Sequence, residues 1–473
     1  MDQAEAANTA TKSLLADMGV IGMAPIEPVV LAALVTAEPL LLIGPHGTAK
    51  SYLLNRIAMA LGLQWRHYNA SLLNFDDLVG YPLPNGNGSL QYVQTPSSIW
   101  GAEVVFLDEI SRCRPDLQNK LFPIIHERRV QGILLDKLVY RWSAMNPPLS
   151  DGDEEHGYRG SEPLDQALAD RFAFVVEMPE WKHFSEQEQE QVILRGEDTI
   201  ATTVARRLQE RIQAGRALLP SVREMFGEKL AVYIRLLMAL LSQAELGLSP
   251  RRGGMLLRNF LAVHTARILM DPEAELRESC LMALNHSFPQ RAMGIEVSRV
   301  KILKCHREAW QVAALEDNDP CRLLIMESDP LRRALRASRI KSLSSSEFSS
   351  IVADCLASLR PGGRHALAAT LFESGAAGNL VAAVAQQCGL LYGLIATPQS
   401  IHESVRANSP RHHVWQRVVA ALARMDPKDM ETTLTTNLLV GLFATGELST
   451  DADVDRASTA WFEARSQIKE RAA

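Results

Sequence analysis

The chain has 473 residues, 47% of them apolar and 22% charged, with a net charge of −6 at pH 7. That length holds two or three domains, and the acidic balance gives no general reason to expect nucleic acid or an anionic membrane surface as partner. Six scattered cysteines (Cys113, Cys280, Cys305, Cys321, Cys355 and Cys388) form no C-x-x-C pair, which argues against a disulfide framework and reads as reduced thiols of a cytoplasmic protein.

The N-terminal stretch MDQAEAANTATK has no signal-peptide core. Up to about residue 180, Val-, Ile- and Leu-rich runs at 39–44, 64–69, 103–108, 138–146 and 172–178 alternate with helical patterns. Their hydrophobicity is mostly continuous, as in strands covered on both faces, and predicts a parallel α/β sheet. From about 183 to 310 helical periodicity takes over, and after 310 the chain stays helical but broken by turns. Ser344 and Glu347 have capping-box spacing before an apolar helix, and RPGGR (360–364) ends it. The apolar run from Leu380 to Ile395 contains Gln386 and Gln387 and is too short to span a bilayer comfortably. The expected organisation is an α/β core at 1–182, a helical region at 183–310 and a helical extension at 311–473.

Within the first of these, LLLIGPHGTAKSYLLNRIAMAL reads as strand, glycine-bearing turn and helix. A phosphate needs converging backbone N–H donors, close backbone approach and a positive charge, and such a turn with a lysine supplies all three. Gly44, Pro45, His46, Gly47, Thr48, Ala49, Lys50, Ser51 and Tyr52 are therefore the candidate nucleotide-binding loop. Lys50 is placed to reach the β/γ phosphates and Ser51 to ligate magnesium. Leu53, Leu54, Ile57, Ala58 and Leu61 form the helix's core-facing stripe. Ala49 stands where the usual pattern has glycine, and is tolerable there if its backbone is ordinary right-handed helix.

The strand VVFLDEI (104–110) ends in Asp108, a candidate magnesium ligand, and Glu109, a candidate activator of the attacking water. The distance from the loop leaves room for a helix and a strand that bring both ends to one sheet edge.

With these motifs the chain resembles the MoxR branch of the AAA+ ATPases, RavA-like members included, in which Ala before the lysine is typical. The likeness continues through 74–100, similar to the helix-2 insert that lines the ring's pore face, and through 108–130. It includes WSAMNPP (142–148), LDQALADRFAFVV (164–176) and LSPRRGGMLLRNFL (248–261), and covers about residues 20–300. The resemblance implies a sensor role for Asn146, which would orient the hydrolytic water. It implies that Arg171 is an arginine finger toward the neighbouring subunit, and that Arg251, with Arg252 as its adjacent rival, contacts phosphates from the helical lid. Arg112, Arg114, Arg128 and Arg129 fall near the implied subunit boundary. The family further implies ATP and Mg2+ as cofactors and a homo-oligomeric ring, a hexamer. It also implies chaperone-like remodelling of a client protein, often with a von Willebrand A-domain partner. The 311–473 extension carries no motif of the family and is the expected place for partner docking.

Two other function classes fit the same motifs: a scaffold in which ATP binding drives assembly, and a motor on nucleic acid. The basic cluster Arg332, Arg333, Arg336, Arg339 and Lys341 reads as a solvated helix face. His412 and His413 lack metal spacing, and the acidic segment 150–157 reads as a connection.

Overall fold

The computed structural model describes residues 13–87, 90–148, 161–194, 199–316, 318–399, 401, 405–423, 425–426 and 429–469. The acidic segment 150–157 lies outside them. Two compact units are present, Met1–Ala314 and Leu315–Ala473.

After a one-turn helix, Leu14–Asp17, and a 3-10 turn, Ala24–Ile26, the first unit has α1 (Glu27–Thr36), β1 (Leu40–Ile43), α2 (Lys50–Leu61) and β2 (Trp65–Asn69). It continues with β3 (Val104–Asp108), α3 (Pro115–Glu127), β4 (Tyr140–Met145), α4 (Gln166–Ala169) and β5 (Phe174–Glu177). The five strands form one parallel sheet in the order β2-β3-β4-β1-β5. Leu40–Ile43 and Val104–Leu107 are buried throughout, which is why these strands read as unbroken apolar runs. Burying each such side chain stabilises by roughly 1.5–3 kcal/mol. β2, at the sheet edge, buries only Tyr68. Because the strands are parallel, the ends of β1, β3 and β4 share one edge and deliver the phosphate loop, Asp108 and Asn146 to it.

The segment resembling a helix-2 insert forms a short helix, Phe75–Val79, and an antiparallel hairpin of Tyr81–Pro84 with Leu90–Val93. A second hairpin pairs Arg129–Val130 with Ile133–Leu134. Beyond the sheet, α5 (Thr202–Gln243) runs 42 residues despite Pro220 inside it. It packs on α6 (Pro250–Met270) and α8 (Arg299–Ala313), with α7 (Leu276–Asn285) between them in sequence. Helix α6 also packs on α1, so the helical region and the sheet domain share an interface. The fold is a five-stranded parallel α/β core carrying the phosphate loop, followed by helical regions.

The second unit is helical among its described residues, from Pro320–Ile325 to Asp451–Lys469. The capping box forms: Ser344 N donates to Glu347 Oε2 at 2.9 Å, and Glu347 N donates to Ser344 Oγ at 3.2 Å. RPGGR ends that helix at Ser358 and also opens the next, Pro361–Glu373. A Cβ at Gly362 would stand 2.0 Å from the Ala457 carbonyl oxygen, so this glycine permits backbone contact with the last helix. No helix among the described residues is long and apolar enough to cross a membrane.

Candidate nucleotide site

The phosphate loop turns on two left-handed residues, Gly47 (φ 77°) and Ala49 (φ 61°). The second corrects the sequence expectation, because Ala49 does not have right-handed helical backbone. It is the N-terminal cap of α2 with φ 61° and ψ 22°, and holding an L-residue there costs about 1–2 kcal/mol. The conformation turns the chain from loop to helix so that successive N–H groups face one concavity. Thr48 Oγ1 donates to the Pro45 carbonyl at 2.8 Å and closes the loop on itself.

Lys50 is buried and folds back over the loop, its Nζ donating to the carbonyls of Gly44 at 2.6 Å and Pro45 at 2.8 Å. It also donates to Asn146 Oδ1 at 3.1 Å, which joins the loop to the end of β4. Burial pulls the Lys50 ammonium below its ordinary value, and the Asp108 and Glu109 carboxylates counter part of that shift. Asn146 Nδ2 lies 3.4 Å from His46 Nδ1, within the same cluster.

Ser51 Oγ donates to Asp108 Oδ2 at 2.6 Å. Asp108 Oδ1 accepts from Glu109 N at 2.9 Å, and His67 Nε2 stands 3.4 Å from Asp108 Oδ2. Burial raises the Asp108 pKa, but the hydrogen bonds from His67, Ser51 and the Glu109 amide outweigh it, so the carboxyl titrates below its ordinary value. Glu109 has left-handed backbone (φ 54°, ψ 39°), and its Oε2 lies 3.7 Å from Arg112 Nε. A hydroxyl and a carboxylate converging at 2.6 Å are hard oxygen donors. They fit Mg2+, which uses one or two protein oxygens and completes its shell with phosphate and water.

A cavity of about 260 Å³ is lined by His46–Tyr52, Asp108, Glu109, Met145 and Asn146. Beside it lies a larger, mainly apolar cavity of about 530 Å³, sharing His46–Ala49 and Tyr52 and adding Gly19–Ile21, Met23, Pro179–Trp181, Phe184 and Val192. Sequence reasoning missed these added residues. Their signals were the glycine-punctuated GVIGM before β1 and the aromatics of PEWKHF after β5.

Two of the expected site residues lie elsewhere. Arg171 lies over the Phe122 ring, 5.0 Å from its centroid, and donates to the Ala167 carbonyl. Arg251 is half-exposed and pairs with Asp170 at 3.4 Å. Neither lines either cavity. Arg252 is fully buried and donates to Asp170 Oδ1 at 3.1 Å and to the carbonyls of Ala173 and Ala169. Burial depresses His126, and the charges of both Arg171 and Arg251 add to that, so the two arginines share one neighbourhood. Of the boundary arginines, Arg114 pairs with Asp116 at 3.7 Å, Arg128 caps α3 with left-handed backbone, and Arg129 donates to Gly132 O at 2.6 Å.

Residues 39–172 match the family model of the AAA domain, dynein-related subfamily. This part of the chain is an AAA domain. The match begins just before β1 and ends at Phe172, and so spans every candidate residue of the site except Arg251. The chain is also similar to the crystal structure of a "putative ATPase" from Cytophaga hutchinsonii. Identity is 19% and the TM-score 0.45, over 63% of this chain and 93% of that one. No curated protein matches the chain.

Proposed function

We propose that the AAA domain binds and hydrolyses ATP with magnesium, and that the chain works as a subunit of a ring, a hexamer, to remodel a client protein. The observation that carries the ATPase reading is the convergence of Lys50, Ser51, Asp108, Glu109 and Asn146 on one cavity; the ring and the remodelling role rest on the sequence resemblance. The apolar cavity beside it suits a nucleobase against Tyr52, Trp181 and Phe184.

The loop amides and the Lys50 ammonium would hold the phosphates and oppose the charge that develops on them in phosphoryl transfer. Ser51 and Asp108 would hold magnesium, which when bound neutralises phosphate oxygens. Glu109 would orient water and accept its proton, and Asn146, fixed by Lys50, would align that water. Catalytic water needs an unencumbered carboxylate, so Glu109 must give up its contact with Arg112 in the working state.

Arg171 and Arg251 lie away from the cavities of their own chain, which supports a role for both at a neighbouring subunit's phosphates. Asp170 is engaged by Ser249, Arg251 and Arg252 and makes no ion pair with Arg171. Subunits carrying Arg171→Ala and subunits carrying Lys50→Ala, each inactive alone, are expected to regain partial ATPase activity when mixed. No recovery at any ratio, with assembly intact, counts against the shared site.

The MoxR-type assignment, the client and a von Willebrand A-domain partner rest on the sequence resemblance. So do the partition at residues 182 and 310 and the docking role of 311–473. The described cysteines are all free thiols, which fits a reducing cytoplasm.

A further inference from the structure

Ser161 lies outside both cavities and is buried. Its Oγ donates to the Asn146 carbonyl oxygen at 3.0 Å and stands 3.0 Å from Ser111 Oγ, a second hydroxyl that can donate to it in turn. Ser111 is equally buried and sits in the short 3-10 turn Ile110–Arg112 that directly follows Glu109. The neighbouring Glu162 N donates to the Ser111 carbonyl at 3.1 Å, so side chain and backbone both fasten this segment to the turn.

Glu109 needs such a fastening, because its left-handed backbone is unfavourable for a residue with a Cβ. The turn after it fixes the direction in which its carboxylate leaves the strand. Asn146, whose side chain holds Lys50, leaves the adjacent strand β4. The Ser161 hydroxyl is thus a direct tie between the two strand ends that carry the water-handling groups. Three residues on, Leu164 N donates to Ala292 O at 2.9 Å. Asp165 then caps α4, accepting from Ala167 N at 2.8 Å, and Arg171 follows that helix.

We infer that Ser161 is a positioning residue of the ATP site, holding the Glu109 turn in register with Asn146 and linking both to the segment that carries Arg171. The inference rests on the ATPase reading above. A lost neutral hydrogen bond predicts a drop of about tenfold in kcat for Ser161→Ala. KM for ATP should stay within about twofold, since no phosphate contact is removed. Ser161→Thr, which keeps the hydroxyl, should recover most of the lost kcat.

The test measures phosphate release against ATP concentration for wild type, Ser161→Ala, Ser161→Thr and Ser161→Cys, with thermal unfolding of each. A kcat loss confined to Ala and Cys, with KM and unfolding near wild type, supports the inference. Wild-type kcat in the Ala variant overturns it. A loss that follows unfolding temperature across the series also overturns it, as a purely structural effect. If Ser161→Ala does not fold, the Cys and Thr pair decides on the same terms. Absence of turnover in the wild type would instead contradict the ATPase reading, and the inference with it.

Discussion

Ser51 Oγ donates to Asp108 Oδ2 across 2.6 Å, joining the start of the helix after the phosphate loop to the end of the neighbouring strand β3. The same carboxylate oxygen faces His67 Nε2 at 3.4 Å, and the His67 ring stacks on Phe106 with centroids 4.4 Å apart. His67 therefore orients Asp108 from behind. Partners of this kind tune metal affinity by roughly 10–100-fold. His67→Ala is expected to raise the magnesium concentration for half-maximal ATP hydrolysis by about tenfold, and Asp108→Asn to raise it further. Magnesium titrations at saturating ATP check both; an unchanged requirement in Asp108→Asn contradicts the assigned role.

Ala49 carries a Cβ in a left-handed conformation. Glycine there removes a penalty of about 1–2 kcal/mol but adds freedom to the unfolded chain, leaving a net gain of about 0.5–1 kcal/mol for Ala49→Gly. Urea unfolding of the first transition measures it. Destabilisation by more than about 0.5 kcal/mol would show that the Cβ contributes packing that outweighs its strain.

Arg251 and Arg252 are adjacent in sequence and opposite in environment. Arg252→Ala leaves Asp170 and two backbone carbonyls without their buried partner and should destabilise by roughly 3–5 kcal/mol. Arg251→Ala removes a half-exposed ion pair, worth at most about 1 kcal/mol. It should leave unfolding nearly unchanged while lowering ATP turnover in the assembled form. Paired melting and turnover measurements separate the two, and equal losses of stability would contradict the assignment.

His286 is part-buried, and desolvation of its ring, with the Arg291 and Arg299 charges, pushes its pKa from 6.5 down to about 3. The unfolded chain binds this proton near pH 6.5 and the folded chain only near pH 3. Stability from the neutral ring is thus fully present above pH 6.5 and lost as the pH falls through that window. The slope is about 1.4 kcal/mol per pH unit for one such group. Urea midpoints at pH 7.5 and 5.0 are expected to differ less in His286→Leu than in wild type.

Strands β1 and β3 and most of β5 were legible because cover on both faces leaves an apolar run, whereas β4 is equally buried but carries Arg141 and Ser143 within it. The loop and Asp108 with Glu109 were legible because phosphate and magnesium chemistry demands particular residue types at short spacing. The positive φ of Ala49 was not, since it is set by how the loop enters α2 rather than by the residue. Neither was the division of labour between Arg251 and Arg252, which depends on the rotation of α6 against Asp170. The apolar cavity joins Gly19–Met23 to Trp181 and Phe184 across some 160 positions of chain, a pairing that only the fold creates. Ser161 is equally silent in sequence, as its two partners, Ser111 and Asn146, come from different strand ends.

The most direct test of the central claim is phosphate release from Mg-ATP by the purified full chain, run beside a nucleotide-binding assay. Wild type is expected to bind and hydrolyse ATP, Glu109→Gln to bind without hydrolysing, and Lys50→Ala to do neither. Phosphate release by Glu109→Gln or Lys50→Ala at the wild-type rate would contradict the account.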